Sequence, residues 1–583
     1  MGLDLVIKNG TVVDGTGAAP RRADVGILGG RIAEVGDRID GGTRVIDAEG
    51  ALVTPGFVDL HTHYDGQVSW DWQLSPSSLH GVTTCVMGNC GVGFAPVRES
   101  DHERLIALME GVEDIPGSVL SEGIRWGWES FAQYMDVVDK EPHAIDFAMQ
   151  VPHDALRVFV MGERAVTGRA ATEEDVDAMR GLLAQALRAG AIGFSTGRSD
   201  NHKDRSGADT PAAEADLREL TGLGRAFEGL GHGVVQAVSD FDMERNPARF
   251  DVEFDILEGL ARAAQRPMSI SLMQRDVDSE QWRNIIRRAE KANASGCEIR
   301  LQVGARGIGV LLGLEATFHP FIGFPSYKAI AHLGLAERVA AMRDPAFKAR
   351  LLSEKSEKLA GDGSNIPPLA DKFLEHLDFI AMRIFRLGES PNYEPTREDS
   401  LFAEAMRTGR PALEILYDAL LEDHGRQLLY FPIHNYTQMS LDCVEEMLRH
   451  PLSLPGLSDG GAHVGTICDA SFPTFMLTHW TRDRKKGRFA IEDVVKRLAN
   501  DTARYAGLRD RGAVIAGLKA DLNVIDVSAL RLLRPALVRD LPSGGKRLLQ
   551  RARGYRATIV SGQVMLENDE LTGARPGHLV RAS

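Results

Sequence analysis

The stretch Leu52-Val53-Thr54-Pro55-Gly56-Phe57-Val58-Asp59-Leu60-His61-Thr62-His63 decides how the chain is read. Its apolar run has the length and composition of a buried strand, assigned here to Val53 through His61. Alternate side chains of a strand share a face, so His61 and His63 can reach a single metal ion. The run ends in Tyr64-Asp65-Gly66, which places both imidazoles where a strand opens into a loop. Two surface histidines are the competing reading of the tripeptide; the buried strand before it favours half of a hydrolytic metal centre.

Seven further runs of this kind follow, at 82–87, 145–151, 191–195, 233–238, 268–273, 299–303 and 454–457. Amphipathic segments separate them, the pattern of repeated β-α units around a parallel sheet. Eight such units make an α/β chain with a TIM-like (β/α)8 barrel, in which the chemistry sits at the carboxyl ends of the strands. His61, His63, Cys90 and Asp459 fall at or near such ends. The span from about 304 to 451 is too long for a connection. It carries helical pattern, for example Leu335 to Ala341 and Ser400 to Met406, and is expected as a helical insertion over the barrel mouth.

The two chain ends differ in style. Leu5-Val6-Ile7 and Thr11-Val12-Val13 about an Asn9-Gly10 turn, then Ile32 to Val35 and Arg44-Val45-Ile46, read as short antiparallel strands. Ala520 to Ile525, Ala557 to Val560 and Gln563 to Leu566, the last two joined at Ser561-Gly562, repeat the style. The ends are expected to pair into a small β-sandwich. This gives it residues 1–55 and 513–583, and leaves 56–512 to the barrel with its insertion.

A length of 583 residues exceeds one ordinary domain but suits a large barrel with an accessory module. With 67 Lys and Arg against 82 Asp and Glu, the net charge of −15 argues against nucleic acid or an anionic membrane as partner and points to a small-molecule substrate. Five scattered cysteines form no disulfide framework and suit a reducing cytoplasm. Met1-Gly2-Leu3-Asp4-Leu5 lacks the marks of a signal peptide, and no run approaches a membrane span. A cytoplasmic protein is expected, and a homo-oligomer is compatible with this composition.

Gly88-Asn89-Cys90-Gly91-Val92-Gly93 follows the second run, and its glycines permit tight turns that could aim the Cys90 thiolate inward. A buried small residue is the alternative reading of Cys90. Leu457-Ser458-Asp459-Gly460-Gly461-Ala462-His463 follows the last run; an Asp there can touch a metal and hold a proton taken from water, or else cap an Asx-turn. His153, His202, His434 and His463 are further candidates for substrate contacts or supporting roles, and Arg198 and Lys203 for an anionic group.

Gly56-Phe57-Val58-Asp59-Leu60-His61-Thr62-His63, Gly88-Asn89-Cys90-Gly91, Gly193-Phe194-Ser195-Thr196-Gly197 and Ser458-Asp459-Gly460 together resemble the N-acyl-D-amino-acid deacylase branch of the amidohydrolase superfamily. The resemblance spans nearly the whole chain. It implies a barrel with a flanking β-sandwich, a zinc or similar divalent ion, and hydrolysis of an amide. The metal-site roles it implies fall on His61, His63, Cys90 and Asp459.

Two ligand histidines of that pattern are absent: the corresponding positions hold Gln236 and Leu272, and the lysine associated with the substrate carboxylate is replaced by Gln274. One tightly held ion is therefore expected rather than two, with Gln236, Gln274, Arg198, His202 and His434 as candidate substrate contacts. The leading expectation is a metal-dependent hydrolase of an N-acyl-D-amino acid, with Asp459 accepting the proton of an activated water and passing it to the departing nitrogen. A single-metal hydrolase of another small amide, formamide, cyclic amide or ester is the second reading. A non-catalytic binding barrel is the third.

Overall fold

The computed structural model describes residues 2–359, 369–375 and 377–582. Met1, residues 360–368 and 376 of the expected insertion, and Ser583 lie outside the described residues.

The apolar run 52–61 is divided at Gly56 instead of continuing as one strand. Leu52–Pro55 pairs antiparallel with Leu522–Ile525 and parallel with the end of Leu5–Val12, whereas Phe57–Asp59 begins the barrel. A Cβ on residue 56 would lie 2.2 Å from Thr83 Oγ1. The chain passes from one sheet to the other only where no side chain stands.

Eight parallel strands neighbour one another in sequence order: β1 (Phe57–Asp59), β2 (Val82–Met87), β3 (Asp146–Pro152), β4 (Gly193–Arg198), β5 (Val234–Ser239), β6 (Met268–Leu272), β7 (Ile299–Val303) and β8 (Ser453–Pro455). From β2 onward each starts within two residues of its expected position. Strands β2 to β6 are buried at every residue, as parallel strands covered on both faces must be. Past the strand ends, the Asp459 N–H donates to His61 O (3.1 Å) and the His63 N–H to Gly460 O (2.7 Å), drawing β8 and β1 together. The ring is thus nearly closed, and its seam carries His61, His63 and Asp459.

Helix Glu173–Arg188 illustrates why the crossovers are helical. Thr172 Oγ1 accepts from the Asp175 N–H (3.2 Å) while Asp175 Oδ2 accepts from the Thr172 N–H (2.9 Å), and Val176, Met179, Leu183, Ala186 and Leu187 form a buried stripe.

The chain ends do pair. Their hydrogen bonds run continuously through one nine-stranded mixed sheet, joined where Leu52–Pro55 meets Leu522–Ile525. Asn9-Gly10 is not a turn between two strands: Leu5–Val12 is one strand whose register shifts between Ile7 and Gly10, with Asn9 at φ 57°.

Between β7 and β8 the chain forms helices, including Leu335–Met342 and Leu401–Thr408, and also a three-stranded sheet of Gly309–Leu312, Leu429–Pro432 and Phe385–Arg386. The sheet was not expected, because strands of two to four residues leave little periodicity to read. Leu312, Phe321, Met342, Leu351, Tyr417 and Leu429 belong to a core separate from that of the barrel. Leu311 N–H donates to Thr466 O (2.7 Å) and Thr317 N–H to Gly465 O (3.0 Å), so this segment docks against the loop after β8, on the mouth side. No helix among the described residues is long and apolar enough to cross a membrane.

Candidate metal centre and active site

His61 and His63 leave the end of β1 with their rings on one side, centroids 5.3 Å apart, while Thr62 between them turns its Oγ1 to Val86 O (2.8 Å). Cys90 follows β2 in a left-handed conformation, φ 58°, and is 6% exposed. Gly88 makes that turn possible: its φ is 80°, and a Cβ there would lie 2.2 Å from Gln150 O. Ligand atoms of His61, His63 and Cys90 all lie within 4.8 Å of one another, the one such group of three among the described residues. Cys90 Sγ is 3.2 Å from His61 Nε2. Asp459, after β8, borders the trio: its Oδ1 is 3.4 Å from His61 Nε2 and 3.8 Å from His63 Nε2. Leu457, Asp459 and His463 also hold left-handed φ values of 58°, 49° and 49°, a concentration of backbone strain at this seam.

One buried side chain fixes the His61 imidazole, and a buried carboxylate stands beside His63. Gln302 on β7 places Oε1 2.7 Å from His61 Nδ1 and donates from Nε2 to Ser269 Oγ (2.9 Å). Its acceptor oxygen therefore selects the tautomer with the proton on Nδ1, which leaves the Nε2 lone pair facing Cys90 and Asp459. Glu113, at the end of helix His102–Glu113 and 2% exposed, sets Oε1 3.3 Å from His63 Nδ1, close but poorly aligned for a hydrogen bond. Its Oε2 is 3.7 Å from His463 Nε2, and its carbonyl accepts the His463 N–H (2.5 Å). Glu113→Gln is expected to weaken divalent-cation affinity about 10- to 100-fold, measured by chelator competition. Unchanged affinity would remove Glu113 from the site.

The electrostatics follow from burial and crowding. Burial lowers the His61 pKa to about 4 and raises the Cys90 thiol to about 12. At His63 burial acts downward, but Glu113, Asp459 and Cys90 outweigh it and hold the pKa well above the ordinary value. At Asp459 burial acts upward, yet His63, His61 and His463 outweigh it and keep the carboxyl well below the usual range. Burial carries Asp65, whose Oδ2 accepts the Gly88 N–H (3.2 Å), up to about 7.

The remaining expected residues scatter. Gln236 on β5 lies beneath the trio, its Oε1 accepting the Cys90 N–H (2.8 Å), and so props the cysteine loop. Leu272 is a fully buried apolar residue of β6. Gln274 binds Ser279 O (3.3 Å), Gln438 Oε1 (2.8 Å) and the Thr437 N–H (3.2 Å), tying the loop after β6 to the segment between β7 and β8. Arg198, expected to be available to an anion, is instead ion-paired to Glu253 (2.8 Å) and donates to Ala215 O. Lys203 is likewise paired with Asp209. His153 is enclosed between Thr196 Oγ1 (2.9 Å) and Glu219 (3.0 Å), away from any opening. Burial brings His202 down to about 3, and the charges of His463, His63, Asp459 and His61 act on it, so it lies in the neighbourhood of the site. His434 has a buried Nδ1 without a partner among the described residues, and the charge of Arg275 acts on it.

Sequence reasoning missed Glu113, Gln302 and Asp65. Gln302 had a signal, an uncharged polar residue between Leu301 and Val303 in the strand Ile299–Val303. Glu113 had none, being an acidic residue at a helix end.

Comparisons with known proteins bear on this arrangement. The sequence model of the Amidohydrolase family matches residues 44–566. A D-aminoacylase of Alcaligenes xylosoxydans xylosoxydans is 28% identical, covering 99% of this chain and 97% of that protein. An uncharacterized protein of Mycobacterium tuberculosis is 27% identical over 90% of this chain and 85% of its own length. A D-aminoacylase crystal structure superposes with a TM-score of 0.64 at 25% identity, covering 100% of both chains. A second D-aminoacylase structure with the same figures concerns a binuclear metal centre, with one-metal activation and second-metal attenuation.

Proposed function

Because this chain belongs to the amidohydrolase family, we propose that it is a metal-dependent hydrolase of a small amide whose first substrate class is N-acyl-D-amino acids. The observation that carries the reading is the buried trio His61, His63 and Cys90, with its ligand atoms within 4.8 Å of one another and Asp459 3.4 Å from His61 Nε2. Two imidazoles and a sulfur suit zinc or a similar divalent ion, and Gln302 has already turned a lone pair of His61 into the site. When bound, such an ion supplies Lewis acidity to the scissile carbonyl and makes water acidic enough to attack near neutral pH.

The protein's own residues do the rest. Asp459 is held as a carboxylate at the rim of the trio, so it can accept the proton of the attacking water and return it to the leaving nitrogen. Gln302 holds the His61 imidazole, Glu113 sets a negative charge beside His63, and Gln236 holds the loop of Cys90. With Gln236 and Leu272 on β5 and β6, the described ligands support one ion. The D-aminoacylase it resembles is described with a binuclear centre, one metal activating and the second attenuating, so the count of one rests on Gln236 and Leu272 of this chain.

Gln274 favours a second reading, a hydrolase of a different small amide or ester, because its amide is consumed by contacts within the protein. A panel of N-acyl-D-amino acids, formamides, cyclic amides and esters, run beside elemental analysis, tests both. About one divalent ion per chain with preference for N-acyl-D-amino acids is expected. Turnover confined to the other compounds transfers the proposal to the second reading, and an ion-free, inactive protein defeats both.

A further inference from the structure

Asp459 borders a second space besides the candidate metal centre. A cavity with about 20 Å³ of room for water centres, enough for at least one molecule, is lined by Asp459, Gly460 and Asp469 from the loop after β8 and by His80, Arg547 and Gln550. None of His61, His63 and Cys90 lines it, so Asp459 is the carboxylate that the trio and the cavity share. Two polar atoms of the lining residues are unfilled. Asp469 Oδ2 and Gln550 Oε1 are buried without a partner among the described residues, Asp469 being 3% and Gln550 1% exposed. Polar atoms left so around a water-sized space mark a buried water site.

Asp469 can change its charge where it stands. Its Oδ1 accepts from Arg306 Nη2 (3.0 Å), which also donates to Cys468 O (3.1 Å), and the guanidinium lies 3.5 Å from the centroid of the Tyr393 ring. Arg306 therefore keeps a carbonyl and an aromatic face when the carboxylate beside it is neutralised. Burial, opposed by Arg306 and assisted by the charge of Asp459, carries the Asp469 carboxyl up to about 7. The groups around it hold fixed states: burial lowers His80 to about 4, raises the Cys468 thiol to about 12 and raises the Tyr393 phenol, while Arg547 is paired with Asp540 (2.8 Å).

Amide hydrolysis leaves a proton to be placed. The attacking water brings two: Asp459 returns one to the departing nitrogen, and the other is set free when the acid product ionises. A single carboxylate cannot keep that second proton and be ready for the next water. We infer that Asp469 is the proton store of the site, joined to Asp459 by water in the cavity that both residues line. In the transfer the O–H bond of the Asp459 carboxylic acid breaks, the intervening water takes that proton and gives up one of its own, and a new O–H bond forms at Asp469 Oδ2. Nothing is oxidised or reduced. Once the product departs, the proton returns by the same water to Asp459 and thence to solvent. This rests on the hydrolase reading and adds to it a residue that touches no substrate and acts through Asp459.

The test compares Asp469→Asn and Gln550→Leu with the wild type on the compound of the panel that the wild type turns over fastest. Asparagine keeps an oxygen for Arg306 but holds no proton on it. Leucine removes the unfilled oxygen of residue 550 and leaves the pair of Asp469 and Arg306 intact. In both variants kcat should fall about 10- to 100-fold, while KM and the number of ions per chain stay within about twofold of the wild type. The solvent deuterium isotope effect on kcat should rise in both, because proton transfer then limits the rate, and added imidazole should restore part of kcat in Asp469→Asn. Unchanged kcat, or a loss with neither a larger isotope effect nor rescue, overturns the inference, since a merely structural residue gives that pattern. Should Asp469→Asn fail to fold, Gln550→Leu decides by its kcat and isotope effect. An inactive wild type defeats the hydrolase reading instead, and the cavity then decides. Ordered water bonded to Asp469 Oδ2 and Gln550 Oε1 in a crystal structure supports the store, and a dry cavity overturns it.

Discussion

Asp459→Asn should lower kcat on the order of a thousandfold while the protein keeps its divalent ion. The two effects separate because the side chains have separate places. The trio of His61, His63 and Cys90 is complete without residue 459, whose Oδ1 borders it at 3.4 and 3.8 Å. Asparagine preserves the shape and can keep the left-handed backbone, φ 49°, that aspartate adopts there. It cannot hold a proton on oxygen as a carboxylate does. Steady-state rates on an N-acyl-D-amino acid, with ions per chain counted on the same samples, check both halves. Activity within tenfold of the wild type would exclude Asp459 as the proton carrier, and inactivity of both forms would favour the non-catalytic barrel.

His61→Ala or His63→Ala should abolish ion retention and, with it, the stabilisation the ion confers. At a free-ion concentration about a thousand times Kd, that stabilisation is roughly 4 kcal/mol. The wild type should therefore lose melting temperature on chelation and regain it with zinc, whereas neither variant should respond to either treatment. Both rings are 1% exposed and already oriented, His61 by Gln302 at 2.7 Å, so little reorganisation accompanies binding. A variant that still melts higher with zinc would place the ion elsewhere.

Much of the barrel was legible because strands buried on both faces must be apolar throughout, and such runs stand out between amphipathic helices. The His-x-His reading succeeded for an equally local reason: alternation puts residues 61 and 63 on one face and turns Thr62 away. The division at Gly56 was hidden, since both halves of that run are apolar and only the crowding of Thr83 shows where one sheet ends.

By itself, then, the sequence determined the order of the barrel strands, the ends at which chemistry could occur, and the residue types able to bind a cation. These depend on periodicity and composition within a few residues. Tertiary structure alone decided that Asp459 meets His61 across the seam, that Gln302 orients His61 while Glu113 stands beside His63, and that Arg198 is neutralised by Glu253. Those facts are distances of a few ångströms between residues as much as about 400 positions apart. Closure of the ring creates them, and no local pattern in the chain encodes them.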